Sequence, residues 1–118
     1  MCSIFGVLEL RQEPQFVRKM ALRQSRMLRH RGPDWSGIYS APTAVLAHER
    51  LSIVDVNTGA QPLLSESGRQ ALAVNGDIYN HQEIRAGFEG SYAFRTQYDC
   101  EVILALYLEH GTAFLDQL

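Results

Sequence analysis

Cys2 is the residue whose type and position most directly predict chemistry. If Met1 is removed, the thiol of Cys2 and a free α-amine belong to one residue. An α-amine with an ordinary pKa of about 7.7–8.0 is partly neutral near pH 7, so it can accept the proton of its own thiol. Cys2 is therefore a candidate nucleophile. From position alone, the more common interpretation is a small buried apolar residue.

Asn75 and Gly76 are candidates for binding the negatively charged oxygen that forms when a thiolate attacks an amide. They follow a predicted strand, and there a side-chain amide and an unobstructed backbone N–H can donate to the same oxygen. Asn-Gly is also a frequent turn dipeptide, and from the dipeptide alone that alternative stays open.

A free amino acid carries a carboxylate and an ammonium group, so its site needs a fixed cation and a fixed anion. Arg50 follows a predicted strand and can bind a carboxylate through two parallel hydrogen bonds. Asp99 begins a predicted helix and fits the ammonium group. A structural ion pair for Arg50 and an ordinary helix cap for Asp99 are the alternatives.

Other classes of function find no support in the sequence. The histidines are His30, His48, His81 and His110. They show no metal-ligand spacing with cysteines or acidic residues, so no metal site is predicted. Glycine-rich phosphate-binding loops are absent from the sequence. A formal net charge of −2 gives no general attraction to nucleic acid.

The sequence predicts a cytoplasmic protein that does not enter a membrane. Its longest apolar run, residues 102–108, is too short to cross a bilayer, which takes about 20 residues. The first residues lack the basic start and the long apolar stretch of a signal peptide. Cys2 and Cys100 are therefore expected to be free thiols, because cytosolic redox buffers keep thiols reduced.

A single domain of 118 residues is expected to position these candidates. Strands are predicted over residues 3–10, 35–40, 44–49 and 70–74, and helices over residues 14–29, 80–88 and 99–110. The first strand is rich in Ile, Phe, Val and Leu, so we expect it to be buried on both faces. Asn80 and Glu83 have the spacing of a capping box.

Two helices are expected to bury one apolar side each. In the helix over residues 14–29 the apolar side chains are Phe16, Val17, Met20, Ala21, Met27 and Leu28. In the helix over residues 99–110 they are Val102, Ile103, Leu106 and Tyr107. Both sets recur with helical spacing, which is typical of amphipathic helices packed on a core.

Six strings together carry a resemblance to a known family. They are M-C-S-I-F-G (1–6), R-H-R-G-P-D (29–34), L-A-H-E-R-L-S-I-V-D (46–55), G-A-Q-P-L (59–63), V-N-G-D-I-Y-N-H (74–81) and D-C-E-V-I (99–103). In this order they closely resemble the glutaminase domain of glutamine-hydrolysing asparagine synthetases, which are class II glutamine amidotransferases. The resemblance identifies Cys2 as the family's nucleophile.

The resemblance implies an α+β fold, the N-terminal-nucleophile hydrolase sandwich, with antiparallel sheets between helix layers. Residues 1–118 would form the N-terminal part of the glutaminase domain, because the family's domain continues past the position of Leu118. The sandwich is therefore expected to be incomplete at its C-terminal side, with exposed strand edges and an open apolar face. The synthetase domain, which uses ATP and magnesium, would be absent, so no cofactor is expected in this chain.

The resemblance also implies a reaction. The Cys2 thiolate attacks the side-chain amide of L-glutamine, ammonia leaves, and water hydrolyses the glutamyl thioester. Asn75 and the Gly76 amide hold the oxyanion. The ammonia passes to a synthetase domain that uses ATP to convert aspartate to asparagine. A homodimer is left open.

Substrate binding follows from the same resemblance. Arg50 would bind the α-carboxylate of glutamine, and Asp99 with Asp77 would bind its α-amine. Backbone groups that line the same pocket belong to Leu51, Ser52, Ile53 and Val54. Two positions depart from the family's pattern. The family usually has glutamate at Asp77 and a small hydroxyl residue at Tyr98, which is bulky and is expected at the pocket mouth.

Other interpretations of the whole chain remain. Another class II amidotransferase is disfavoured, because residues 29–34 and 48–55 look more like the asparagine synthetases. A catalytically inert fragment that serves only interaction or folding is the alternative outside enzymology. A module that binds anions through the basic helix side of residues 18–31 is the weakest.

Overall fold

The computed structural model describes residues 1–52 and 60–118, which form an α+β fold with antiparallel sheets. The strands are β1 (Ser3–Leu8), β2 (Trp35–Ser40), β3 (Ala44–Arg50), β4 (Leu63–Leu64) and β5 (Ala71–Leu72). The helices are α1 (Pro14–Met27), α2 (His81–Gly87) and α3 (Val102–His110), with 3₁₀ segments at Asp99–Glu101 and Gly111–Gln117. The predicted α+β class is confirmed.

The first part of the chain is a sheet covered by one helix. β1 and β2 both pair with β3 in an antiparallel sheet of order β1-β3-β2. α1 packs on this sheet through Val17, Ala21 and Ser25, which are four residues apart and so lie along one side of the helix. Val45 of β3 is buried against Val17 and Ala21.

The prediction that the first strand is buried on both faces is wrong. The strand ends at Leu8 instead of residue 10, and Glu9 has a φ of 54°. Only the side of the strand that faces α1 is covered within the described part of the chain. Side chains alternate between the two faces of a strand. Ile4 and Leu8 lie on the opposite face and are 40% and 70% exposed.

α1 also differs from the prediction. It ends at Met27 instead of residue 29, and Phe16 and Met27, both expected to be buried, are 57% and 69% exposed. The buried line of small side chains gives the helix a narrow contact with the sheet, which leaves its flanking apolar residues in solvent.

The second part of the chain has less regular structure. The strand predicted over residues 70–74 is reduced to β5, which pairs with the unexpected β4 through Leu63 and Leu72. The capping box is wrong, because the Asn80 side chain donates to the Gln117 carbonyl at 2.9 Å instead of capping α2. The two predicted helices are confirmed as α2 and α3, although Tyr107 is 43% exposed.

α3 supplies most of the second core. Ile103 and Leu104 pack with Leu63, Tyr98 and Cys100, so the helix start and the residues just before it are anchored together. Among residues 1–52 and 60–118, no helix is long and apolar enough to cross a membrane.

Candidate active site

A cleft of about 130 Å³ lies where the two parts of the chain meet. Its lining residues are Met1, Cys2, Leu51, Asn75, Gly76, Asp77 and Tyr98. Five of these, all but Met1 and Tyr98, are residues that the sequence assigned to the site. The fold therefore brings the candidate nucleophile and the candidate oxyanion donors to one place.

Cys2 is held at this cleft by the end of β3. The pairing of β1 with β3 ends at Ser3 and Glu49. Cys2 directly precedes this last pair and therefore lies close to the residues that follow Glu49. The backbone N–H of Leu51 donates to the Cys2 sulfur at 3.3 Å, and the thiol lies 3.7 Å from the Leu51 carbonyl. The Cys2 sulfur therefore accepts a backbone hydrogen bond at the cleft.

Asn75 and Gly76 are exposed at the cleft. Hydrogen bonds from buried side chains fix the backbone carbonyls of Val74 and Gly76. The carbonyl of Val74, the preceding residue, accepts a hydrogen bond from His48 Nε2 at 3.0 Å. The carbonyl of Gly76 accepts from the Cys100 thiol at 3.3 Å. Burial and the neighbouring Asp99 raise the pKa of Cys100 to about 12, so this thiol stays protonated and can keep donating.

His48 is fully buried and neutral at neutral pH. Burial lowers the pKa of His48 below its ordinary value of 6.5, more than the bond to Val74 raises it. Because a carbonyl only accepts, Nε2 carries the proton of the neutral ring. The sequence predicted no metal-binding role for His48, and in the structure it holds the Val74 carbonyl.

Arg50 lies behind the cleft wall. It is 3% exposed, and its guanidinium carbon is 5.3 Å from the centroid of the Tyr98 ring, which is cation–π distance. Tyr98 itself lines the cleft, as expected for a residue at the pocket mouth. Burial raises the pKa of Tyr98, so its hydroxyl is neutral.

Asp99 also lies behind the cleft. It is 4% exposed, and its Oδ2 accepts from the backbone N–H of Ile78 at 2.6 Å. Its buried Oδ1 has no hydrogen-bond partner among the residues described. A buried carboxylate oxygen without a partner is costly, and Asp99 does not line the cleft itself. Asp77 is exposed and lines the cleft directly.

The remaining predicted pocket residues have different positions. Leu51 lines the cleft. Ser52 does not line it, and its backbone N–H donates to Asp34 Oδ2 at 2.8 Å. Ile53 and Val54 lie outside the described residues.

The loop over residues 31–34 positions the end of β3. A Cβ at Gly32 would collide with the Glu49 carbonyl, so only glycine lets the loop lie this close to the strand. The Asp34 N–H donates to the Arg50 carbonyl at 3.0 Å. This loop therefore fixes the backbone of the residue that the sequence assigned to carboxylate binding.

Glu101 positions the loop that leads to Asp99, a role that the sequence did not indicate. Its two oxygens accept from the backbone N–H groups of Arg95 and Thr96, each at 2.8 Å, and from the Thr96 hydroxyl at 2.6 Å. Arg85 lies 3.7 Å away as an ion-pair partner. The acidic type fits a helix start, and only the folded chain reveals these contacts.

No cluster of three or more His, Cys, Asp or Glu side chains that could hold a metal ion occurs in residues 1–52 and 60–118. A larger groove of about 680 Å³ runs between the β4–β5 turn and α3, where it is lined by Ser65, Phe88 and Tyr92 among others. Neither cysteine lines this groove, so the smaller cleft, which Cys2 lines, is the candidate active site.

Comparisons with known proteins point to one family. The sequence model of the glutamine amidotransferase domain matches residues 1–118. The chain is 61% identical to glutamine-hydrolyzing asparagine synthetase B of Escherichia coli over 118 residues, and 49% identical to a probable glutamine-hydrolyzing asparagine synthetase of Schizosaccharomyces pombe. Each match covers the whole of this chain and 21% of the relative. The chain thus spans about a fifth of the length of these relatives.

Proposed function

The chain belongs to the glutamine amidotransferase domain family, and from this premise we propose that it hydrolyses the side-chain amide of glutamine with Cys2 as the nucleophile. The observation that carries the proposal is the shared cleft of Cys2, Asn75 and Gly76. A nucleophile and oxyanion donors at one cleft are what acyl transfer from an amide requires.

The reaction uses groups that the cleft supplies. With Met1 removed, the α-amine of Cys2 takes the thiol proton, and the thiolate attacks the amide carbon. Asn75 Nδ2 and the Gly76 N–H stabilise the oxyanion, and the proton passes to the leaving ammonia as the carbon–nitrogen bond breaks. Water then hydrolyses the thioester, which gives glutamate and restores the thiol.

Arg50, Asp77 and Asp99 bind the amino acid end of glutamine in this proposal. The exposed Asp77 carboxylate at the cleft supports the binding of an ammonium group, and the buried Asp99 is proposed to act beside it. Arg50 is the cation for the carboxylate, and its guanidinium lies over the ring of Tyr98, a residue that lines the cleft. Leu51, Ser52, Ile53 and Val54 are proposed to complete the pocket through backbone groups.

We also propose the N-terminal-nucleophile hydrolase sandwich as the architecture of the complete domain. A helix on one side of the sheet and the exposed Ile4 and Leu8 on the other side support it, because a second sheet would cover that face. The released ammonia is proposed to serve a synthetase domain that makes asparagine with ATP and magnesium, in the cytoplasm. The names of the relatives support this acceptor.

Release of glutamate and ammonia from glutamine tests the proposal. The chain is purified with Met1 removed, confirmed by mass spectrometry, beside Cys2→Ala and Cys2→Ser. We expect Cys2→Ala to lose at least about 10³-fold in kcat/KM, as nucleophile removal does elsewhere. Cys100→Ser, which keeps a donor for Gly76, is the matched thiol control and should lose less than about tenfold.

Two results would overturn the proposal. Hydrolysis that survives in Cys2→Ala rejects Cys2 as the nucleophile. A processed wild-type chain that binds glutamine but releases no more ammonia than Cys2→Ala supports the inert interaction or folding unit instead.

A further inference from the structure

Gln61 is a buried polar residue that the proposed reaction does not use. It is 2% exposed, and both polar atoms of its side chain are bonded. Its Oε1 accepts from the backbone N–H of Val74 at 2.7 Å, and its Nε2 donates to the Tyr98 hydroxyl at 3.0 Å. Because the Val74 N–H can only donate, the orientation of the amide is fixed by its partners.

One end of this amide holds the oxyanion side of the cleft. Val74 directly precedes Asn75, and its carbonyl accepts from His48 while its N–H donates to Gln61. The peptide groups on both sides of Val74 are therefore tied to buried side chains. Asn75 and Gly76 extend from this fixed point into the cleft.

The other end of the amide holds the cleft wall. The Tyr98 hydroxyl accepts from Gln61, and the Tyr98 ring lies both against the cleft and against Arg50. The position of the Tyr98 ring therefore affects where the Arg50 guanidinium lies relative to a substrate carboxylate.

Gln61 is itself fixed by β2. A Cβ at Gly37 would collide with the Gln61 carbonyl, so the strand and this residue are in direct backbone contact. The Gln61 side chain therefore links the first sheet to two residues in the second part of the chain, Val74 and Tyr98.

We propose that Gln61 is a positioning residue that joins the oxyanion-binding side of the cleft to the carboxylate-binding side. The inference rests on the proposed function, because both sides have these roles only in glutamine hydrolysis. It predicts that loss of the amide changes kcat and KM together, whereas loss of the Tyr98 bond alone changes KM.

The test compares Gln61→Met, which keeps length and loses both bonds, with Tyr98→Phe, which loses one bond and keeps the ring. We expect Gln61→Met to lower kcat about tenfold and raise KM severalfold, and to speed amide hydrogen exchange at Val74 about tenfold, since one hydrogen bond contributes on that order. Tyr98→Phe should raise KM about threefold, with kcat and Val74 exchange within twofold.

Ser65→Ala is the matched control. Ser65 is also 2% exposed, and its hydroxyl donates to Gln70 at 2.7 Å, away from the cleft. Its loss should lower the free energy of unfolding without changing KM. Active protein is counted in each variant by covalent labelling of Cys2.

The inference is overturned if Gln61→Met leaves KM, or kcat per labelled Cys2, unchanged, if it does not speed exchange at Val74, or if Ser65→Ala raises KM as much. Failure of the proposed function looks different, because the wild-type chain would then release no more ammonia than Cys2→Ala. In that case exchange at Val74 still decides the positioning role, since it needs no turnover.

Discussion

The two parts of this chain that meet at the cleft are held in place by different means. In residues 1–52, β1 and β2 each pair with β3 over six residues, so backbone ladders set the position of Cys2 and Arg50. In residues 60–118, β4 and β5 pair over two residues. There the cleft loops depend on single polar side chains, chiefly Gln61 and Glu101.

The difference teaches where single substitutions act. A ladder distributes its hydrogen bonds over many peptide groups, so one side chain matters to it only through packing. A loop tied by one carboxylate loses most of its fixed contacts when that carboxylate is removed. The second part should therefore be more sensitive to polar substitutions, and the first to steric ones.

The largest effect is expected from Glu101→Ala in the second part. The change removes three hydrogen bonds and the ion-pair partner of Arg85. We expect the free energy of unfolding in urea to fall by about 3 kcal/mol, since a buried charge network is broken from one side. Glu109→Ala, which removes an exposed carboxylate, should change it by less than about 0.5 kcal/mol. Equal losses in the two variants would contradict the comparison.

A steric change should have the next largest effect, in the first part. Gly32→Ala places a Cβ against the Glu49 carbonyl, and we expect it to cost about 2 kcal/mol. It should also raise KM for glutamine, because the displaced backbone leads to Arg50. In Gly87→Ala the new Cβ meets no described atom within 4 Å. That control should gain a few tenths of a kcal/mol, about what helix propensity gives. A neutral Gly32→Ala would show that the loop is not tightly packed.

His48 joins the two parts, and its titration gives a smaller effect that depends on pH. The pKa of His48 is lowered in the folded state, so below pH 6.5 the unfolded chain takes up the proton first. Stability therefore falls as pH drops from 6.5 towards the folded pKa, by at most about 1.4 kcal/mol per pH unit. His48→Gln should flatten this part of the pH profile measured by urea unfolding, and His30→Gln, at an exposed site, should not. The same profile in all three proteins would remove His48 as its cause.

The smallest of these effects is expected from a change of one methylene group at the cleft. Asp77 lines the cleft from the less regular part of the chain, and its side chain is one methylene shorter than the glutamate usual in the family. Asp77→Glu should lower KM for glutamine about twofold with kcat unchanged, and Asp77→Asn should raise it. An unchanged or higher KM in Asp77→Glu would mean that reach does not limit binding.

The sequence predicted the first part of the fold better than the second. The strands over residues 35–40 and 44–49 match β2 and β3 within one residue, because their apolar patterns are bounded by a clear turn. β4 was missed and the strand over residues 70–74 was too long, because pairing of such short strands depends on α3 covering them. The predicted burial of β1 on both faces is wrong, because the composition of a strand does not tell which face packs against α1.

The candidate site divides in the same way. Cys2, Asn75 and Gly76 carry chemistry in their residue types, and the fold places them at one cleft. Gln61 and Glu101 act through contacts with backbone groups 13 and 5 to 6 residues away. No spacing rule marks such contacts, so they appear only once the chain is folded.

Met1 lies in the wall of the cleft, and this makes position 2 doubly constrained. An initiator methionine is usually cleaved only when the following side chain is small. A bulky replacement of Cys2 would thus lose the sulfur and also retain the methionine beside Asn75 and Tyr98. Under the proposed function, removal of Met1 would free the α-amine of Cys2 that serves as the base and would also remove one residue from the cleft wall.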